Sequence, residues 1–325
     1  MLKSAGPTDE SLAGTISELN LYPVKSMKGI ALKSWPLAAN GLAFDRRWMV
    51  VDRGGTQVTQ RDAPRLCLIT PSLLAAGRND YGVGANDPAA TQLVLHAPGV
   101  RSVVMAVEAP GAPRAVRVWD DTAAAIAGSP EVDAWLSGFL ERDVQLVRFE
   151  AVEATAGRLW QRLAFPDSLP FLLIGQGSLD DVNSRLSAKG EGPVEMSRFR
   201  PNFVVAGSAP FAEDGWRQIT IGELRFSVER PCARCMITTI DQATANVGRE
   251  PLKTLASYRT AYRGTVPGNG SARGSGGSRA LRGVIFGQKL IHHDLGTVAV
   301  GDRVTVLATT PESAKMQFVP EITAG

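Results

Sequence analysis

Cysteine and net charge are both scarce in this chain. Its 325 residues include three cysteines and three histidines, and the formal net charge at pH 7 is +3. An odd, low cysteine count argues against a disulfide framework and favours a reducing compartment, which we take to be the cytoplasm. The small charge gives no reason to expect nucleic acid or an acidic membrane surface as a partner.

Long apolar runs are also missing. No uninterrupted stretch approaches the roughly 20 residues that a membrane helix requires, and residues 1–14 lack the apolar segment of a secretory signal. The sequence therefore predicts neither a membrane span nor secretion. Apolar residues still make up 44% of the chain, which is enough for two domains with proper cores.

Short alternating segments dominate what remains. They predict strands at 15–26, 91–97, 102–108, 113–119, 201–207, 217–229, 235–240 and 296–308, and a hairpin that turns at Gly54 and Gly55 between 46–52 and 56–62. Their regular spacing predicts a mainly β (α+β) fold, in which a β-barrel carries a few peripheral helices.

Three helices are expected among these strands. The first follows Ser129 as its N-cap, with Pro130 at the first helical position. The second begins at Ser178 and ends before Gly190, and a short third helix covers 251–258. Residues 1–14 are expected to be a disordered tail, and the Gly/Ser-rich segment 268–279 a flexible surface loop that could serve as a lid.

The segment RPCARCMITTID, residues 230–241, contains two of the three cysteines. A closed zinc site needs four ligands, and the remaining candidates are scattered: Cys67, His96, His292 and His293. A redox dithiol normally opens a helix, whereas the β-branched residues after Cys235 favour a strand. An all-cysteine iron–sulfur cluster needs four thiolates, which excludes one within this chain. Either one thiolate is a metal ligand, or both cysteines are small buried residues.

Four motifs together narrow this choice. They are PVKS (23–26), GLAFDRRWMVVD (41–52), FRPNFVV (199–205) and PCARCMITTID (231–241). In this order they resemble the MOSC family, and more narrowly its group of mitochondrial amidoxime reducing components and bacterial YcbX-like proteins, over residues 15–308. The resemblance implies an N-terminal MOSC β-barrel domain at 15–130, a MOSC domain at 140–308, in which FGQ (286–288) closes the barrel, and a tail at 309–325.

The same resemblance implies a molybdenum cofactor, Mo-molybdopterin, between the two domains. Cys235 would be the metal ligand, Cys232 would be structural, and the neighbouring Arg234 would favour the Cys235 thiolate. Cofactor contacts carry over to six further residues: Lys25, Ser26, Arg46, Ser168, Arg200 and Asn202. Leu169 stands where close relatives have a hydroxyl residue.

Asp241 ends the cysteine motif and has two interpretations. It is a candidate catalytic residue that relays protons or orients substrate, or it begins the turn that follows.

The resemblance also implies a reaction. An enzyme of this group reduces small N-hydroxylated compounds such as amidoximes and hydroxylamines, with electrons from a separate flavoprotein reductase, with or without a small electron carrier. The alternative is a sulfur or cofactor carrier, in which Cys235 holds a persulfide supplied by a pyridoxal-phosphate sulfurase partner.

Overall fold

The computed structural model describes residues 11–77, 86–149, 169–261, 283–311 and 318. The predicted loop 268–279 and Ser168 lie outside these ranges. Three α-helices are described: α1 (Pro130–Leu140), α2 (Gln176–Ser187) and α3 (Leu252–Tyr258). The strands, in chain order, are β1 (Ser11–Leu21), β2 (Ile30–Leu32), β3 (Ser34–Ala38), β4 (Gly41–Leu42), β5 (Trp48–Asp52), β6 (Thr70–Leu74), β7 (Gln92–Ala97), β8 (Val100–Ala106), β9 (Pro113–Val118), β10 (Asp121–Ala127), β11 (Val144–Phe149), β12 (Phe171–Gly175), β13 (Phe203–Ala206), β14 (Trp216–Ile221), β15 (Leu224–Ala233), β16 (Thr260–Ala261), β17 (Gly283–His292), β18 (Thr297–Ala299) and β19 (Arg303–Thr309).

Seven of these strands close into a barrel. Their order is β12-β13-β1-β19-β14-β15-β17, and β17 pairs back onto β12. All neighbours are antiparallel except β12 and β13. Gly287 sits at the closing seam with a left-handed φ of 79°, and a Cβ there would lie 2.6 Å from the Ile174 side chain. The closure by the segment 286–288 is therefore confirmed, and only glycine fits its close approach.

The remaining sheets are built largely from the first half of the chain. A four-stranded sheet has the order β5-β11-β10-β9, and two three-stranded sheets have the orders β6-β7-β8 and β18-β3-β4. One continuous apolar core joins both halves, since residues such as Trp35, Leu93, Leu146 and Phe203 belong to the same buried cluster. Across the described ranges, none of the helices is long and apolar enough to span a bilayer.

The helix predictions are largely confirmed. The Ser129 hydroxyl caps α1 by accepting a hydrogen bond from the Val132 amide at 3.3 Å. Helix α2 begins at Gln176, two residues before the predicted start, because the Ser178 hydroxyl does not act as the cap and instead donates to Glu213 at 2.7 Å. The short third helix is α3.

The linear domain division differs from the spatial one. Strand β1 begins at Ser11, inside the predicted tail, and lies in the barrel between β13 and β19. Strand β11, beyond the predicted boundary at residue 130, completes the four-stranded sheet with β5. In the predicted C-terminal tail, Phe318 pairs with Ala261. Pairing between distant segments decides these assignments, and no local pattern reports it.

Two local predictions are also corrected. After the glycine turn, the second arm of the predicted hairpin forms no regular strand, and it pairs through isolated bridges of Gln57 with Val51 and of Thr56 with Arg117. The predicted strand 235–240 is instead a 3-10 helix over Met236–Thr239. The hydroxyls of Thr238 and Thr239 each donate to the carbonyl three residues earlier, which stabilises a helical turn in a β-branched sequence.

Candidate functional site

A cavity of about 370 Å³ opens where loops of the N-terminal half meet the barrel. Neither Asp nor Glu occurs among its lining residues in the described part of the chain. Eight of the lining side chains are cationic: Lys25, Arg46, Arg61, Arg198, Arg200, Arg230, Arg234 and Lys289. Low-dielectric walls of one charge sign focus the field within a cleft, so the cavity is built to receive an anion.

The loop after β1 brings Lys25 and Ser26 to this cavity. The Lys25 amide donates to the Trp48 carbonyl at 2.8 Å, which ties the loop to the start of β5. Lys25 is only 4% exposed, and its ammonium lies 5.4 Å from the centroid of the Trp119 ring. Trp119 forms the hairpin tip between β9 and β10 and is 44% exposed, so a buried cation is held beside an open aromatic ring.

Arg46 and Arg200 both pack against the ring of Tyr22. Their guanidinium carbons lie 4.5 Å and 4.3 Å from the centroid of the Tyr22 ring. The Arg200 guanidinium also donates to the Met27 carbonyl at 2.6 Å. Burial raises the pKa of Tyr22 to about 12, although both arginines oppose the rise. Tyr22 therefore remains a neutral phenol whose ring orients the two cations.

The side chain of Asn202 uses its hydrogen-bonding capacity within the protein. Its Oδ1 accepts from Arg46 Nη1 at 3.1 Å and from the Leu172 amide at 3.2 Å. Its Nδ2 donates to the Asn20 carbonyl at 3.1 Å and to Asp45 at 3.3 Å. Since Asn202 is 1% exposed, these contacts make it a positioning residue for Arg46.

Strained backbone is concentrated at the cavity. Eight described non-glycine residues have a positive φ, and four of them line it: Ser26, Arg46, Trp119 and Arg200, with φ between 48° and 68°. A left-handed conformation costs roughly 1–2 kcal/mol for an ordinary residue. Such strain persists where the surrounding structure enforces it, which is typical of binding sites.

Cys235 and Cys232 have different surroundings. Both cysteines line the cavity, but only Cys235 is half-buried, and it directly precedes the 3-10 helix. Cys232 is buried in the apolar cluster between α2, α3 and the barrel, and its sulfur accepts a hydrogen bond from Arg234 at 3.0 Å. The sulfur that Arg234 binds is thus that of Cys232, whereas the sequence predicts its effect on Cys235. Because no strand follows Cys235, the difference in burial is what now distinguishes a single reactive sulfur from a dithiol.

Asp241 stabilises the turn that follows the cysteine motif. One carboxylate oxygen accepts from the amides of Ala243 and Thr244 and from the Thr244 hydroxyl, and the other pairs with Arg198 at 2.8 Å. Burial alone would raise the pKa of Asp241, but these hydrogen bonds and Arg198 hold the pKa below its ordinary value. An acid that stays ionised at neutral pH is poorly suited to relay protons, so the geometry favours the turn interpretation.

A buried amide pair fixes this turn against the N-terminal half. Gln60 and Gln242 donate to each other at 3.2 Å and 3.1 Å, and Gln60 also donates to the Ser26 carbonyl at 2.8 Å. The Cys67 thiol donates to the Asp241 carbonyl at 3.6 Å. Burial raises the pKa of Cys67 to about 11, so this third thiol stays protonated.

Eight of the nine predicted site residues are described, and all but Asp241 line the one cavity. Sequence analysis missed Tyr22, Asp45 and Arg198, although each lies within three residues of a predicted contact. It also missed Arg61, Trp119, Arg230 and Lys289 as cavity-lining residues. Trp119 is the last residue of the predicted strand 113–119, and nothing in the sequence marked it as the tip of a hairpin.

Known proteins resemble this chain over most of its length. Residues 13–143 match the MOSC N-terminal beta barrel domain, and residues 161–305 match the MOSC domain. The mitochondrial amidoxime-reducing component 1 of Homo sapiens is 33% identical, with 90% of this chain and 83% of that protein covered. The protein of the same name from Mus musculus is 32% identical, with coverages of 90% and 82%. The molybdenum cofactor sulfurase of Oryza sativa subsp. japonica is 33% identical over 79% of this chain, which spans 33% of that protein. This chain therefore belongs to the family of MOSC-domain proteins that includes the mitochondrial amidoxime-reducing components.

Proposed function

We propose that this protein is a molybdenum-cofactor-dependent reductase of N-hydroxylated compounds that receives electrons from a separate protein. The observation that carries the proposal is Cys235, a half-buried thiol on the wall of a cavity lined by eight cationic side chains. The names of the amidoxime-reducing relatives support the same reaction class. We also propose the cytoplasm as its compartment, from the odd cysteine count.

The donor set fits the cofactor. A thiolate is the soft ligand that molybdenum takes from protein, and Cys235 offers one within the cavity. Lys25, Arg46 and Arg200 surround the same space, and such groups bind phosphate oxygens by charge-assisted hydrogen bonds. When bound, the cofactor would supply two-electron oxygen-atom chemistry.

The chain's own residues have defined tasks in this proposal. Lys25, Arg46 and Arg200 bind the anionic part of the cofactor, and Asn202 and Tyr22 orient the two arginines. Asp241 holds the turn after Cys235 through its bonds to Thr244 and Arg198. In the net reaction, the substrate N–OH group takes up two electrons and two protons and yields the N–H compound and water.

The test is elemental analysis followed by an assay. Protein made in a cofactor-competent host should contain about one molybdenum atom per chain, because we assign one thiolate, that of Cys235, to the metal. It should reduce benzamidoxime with reduced viologen, but with NADPH only after a flavoprotein reductase is added. Zinc in place of molybdenum would overturn the proposal. Molybdenum-loaded protein that fails with viologen would favour a persulfide carrier, and turnover with NADPH alone would show a redox site within the chain.

A further inference from the structure

Two cations of the cavity lie side by side on the barrel wall. Arg230 of β15 stands directly opposite Lys289 of β17 in the antiparallel register. On the other side of β17, Lys289 pairs with Leu172 of β12. All three residues line the cavity, so they form one row across three adjacent strands, on the face of the sheet that borders the cavity. We call Arg230 and Lys289 the cationic pair.

This arrangement costs stability in the protein alone. Directly opposed side chains have Cβ atoms about 5 Å apart, and like charges at that separation destabilise a sheet. Arg46 and Arg198 of the same cavity are paired with Asp45 and Asp241. In the described part of the chain, neither member of the cationic pair forms an ion pair with a carboxylate, and acidic side chains are missing from the described cavity wall.

The cationic pair lies within reach of the proposed reaction centre. Arg230 precedes Cys235 by five residues, and β15 continues from Arg230 to Ala233. At about 3.3 Å per residue, the two Cα atoms are at most roughly 17 Å apart. The register of β15 shifts on both sides of Arg230 and Pro231, and such irregularities re-aim side chains beside active sites.

We propose that Arg230 and Lys289 form a subsite for an anionic group of the substrate, a carboxylate or a phosphate attached to the N-hydroxylated compound. This inference rests on the proposed function. The anion would relieve the repulsion between the two cations, and a guanidinium and an ammonium together offer a fork and a point charge to its oxygens. Substrates with such a group would bind more tightly than neutral ones of the same size.

The experiment compares benzamidoxime with its 4-carboxylate on the molybdenum-loaded enzyme, with reduced viologen as donor. The carboxylate should have a KM about tenfold lower, which corresponds to one charge-assisted hydrogen bond. Arg230→Gln combined with Lys289→Gln should abolish this preference, so that the ratio of the two KM values becomes about one while the molybdenum content stays that of the wild type. Calorimetric titration of the enzyme without an electron donor should show the same change in Kd, independently of turnover.

Two controls separate position from total charge. The exchange Arg230→Lys with Lys289→Arg keeps both charges and should keep the preference. Arg249→Gln with Arg303→Gln removes two exposed cations elsewhere and should also keep it.

Three results would overturn the inference while the proposed function stands: equal KM values in the wild type, loss of molybdenum in the Arg230→Gln, Lys289→Gln variant, or a defect seen only with the flavoprotein reductase. The second would assign the cationic pair to the cofactor, and the third to the electron donor. Failure to reduce either compound would instead contradict the proposed function.

Discussion

Arg46 and Asn202 are joined by a hydrogen bond of 3.1 Å although they lie 156 positions apart in the chain. Arg46 follows β4 in the N-terminal half, and Asn202 precedes β13 of the barrel. The bond therefore fixes a cationic turn of one half against the wall of the other. Because Asn202 also binds Asn20, Asp45 and Leu172, its amide acts as the junction on which this side of the cavity is assembled.

Replacing Asn202 by alanine should destabilise the protein and loosen the cofactor together. The Asn202→Ala variant loses four hydrogen bonds and leaves buried partners unsatisfied, so we expect the free energy of unfolding to fall by about 2–4 kcal/mol. Urea unfolding and molybdenum content measure the two effects. Asn183→Ala is the matched control, because Asn183 of α2 bonds both backbone groups of Val194 and its loss should lower stability alone. Cofactor loss without destabilisation in Asn202→Ala would show that Asn202 binds the cofactor directly.

The two motif cysteines should behave differently on substitution. Cys235→Ser replaces a soft ligand with a hydroxyl that ionises poorly, so reductase activity should disappear in a folded protein. Cys232→Ser should keep most of the activity, because a serine oxygen still accepts the hydrogen bond from Arg234. The buried hydroxyl should lower the free energy of unfolding by about 1 kcal/mol. Cys67→Ser controls for the loss of a buried thiol, and it should also remain active. Equal losses at 232 and 235 would favour a dithiol.

Asp241→Asn should leave the chemistry intact. An asparagine oxygen can still accept from Ala243 and Thr244, while the ion pair with Arg198 is lost at a cost of up to about 1 kcal/mol. Because the folded pKa is below the ordinary value, the carboxylate contributes stability at neutral pH and loses it only as pH falls through that pKa. The pH–rate profiles of variant and wild type should superimpose between about pH 5 and 9. If one limb of the wild-type pH–rate profile is missing in Asp241→Asn, proton transfer would be assigned to Asp241.

Glu213 should make stability fall as pH rises. It is fully buried beside the start of α2, and burial raises its pKa, reinforced by the charge of Asp214. Because the folded pKa of Glu213 is above the unfolded value of about 4.3, folding favours the protonated carboxyl. The protonated carboxyl therefore contributes fully to the free energy of unfolding below about pH 4.3, and this contribution is lost as pH rises through the folded pKa. Glu213→Gln should therefore be less sensitive to pH than the wild type.

Urea unfolding at several values between about pH 4 and 8 tests this difference across the unfolded carboxyl range. Glu191→Gln is the control, because Glu191 is exposed just beyond α2. A wild-type slope that persists in Glu213→Gln would assign the pH dependence to another group.

Local chemistry allowed much of the fold to be predicted from the sequence. Ser129 and Pro130 predict the start of α1 because capping is decided within one turn. Alternation predicts strands such as β8 and β9, because a half-buried strand must alternate. The threonines after Cys235 misled the same reasoning, since their hydroxyls bond backbone carbonyls within a helical turn.

For the cavity, the sequence identified candidate residues, whereas the tertiary structure decided their contacts. Motif resemblance by itself identified Lys25, Ser26, Arg46, Arg200, Asn202 and the cysteines as candidates, and all of them line it or are bound beside it. Which amide holds Arg46, and that Arg230 faces Lys289, depend on contacts between segments far apart in the chain. The bond between Arg234 and Cys232 is local, but the sequence does not show which of the two neighbouring sulfurs the guanidinium reaches. A one-residue shift in register would turn Arg230 or Lys289 to the opposite face, so only the tertiary structure decided that the two side chains meet.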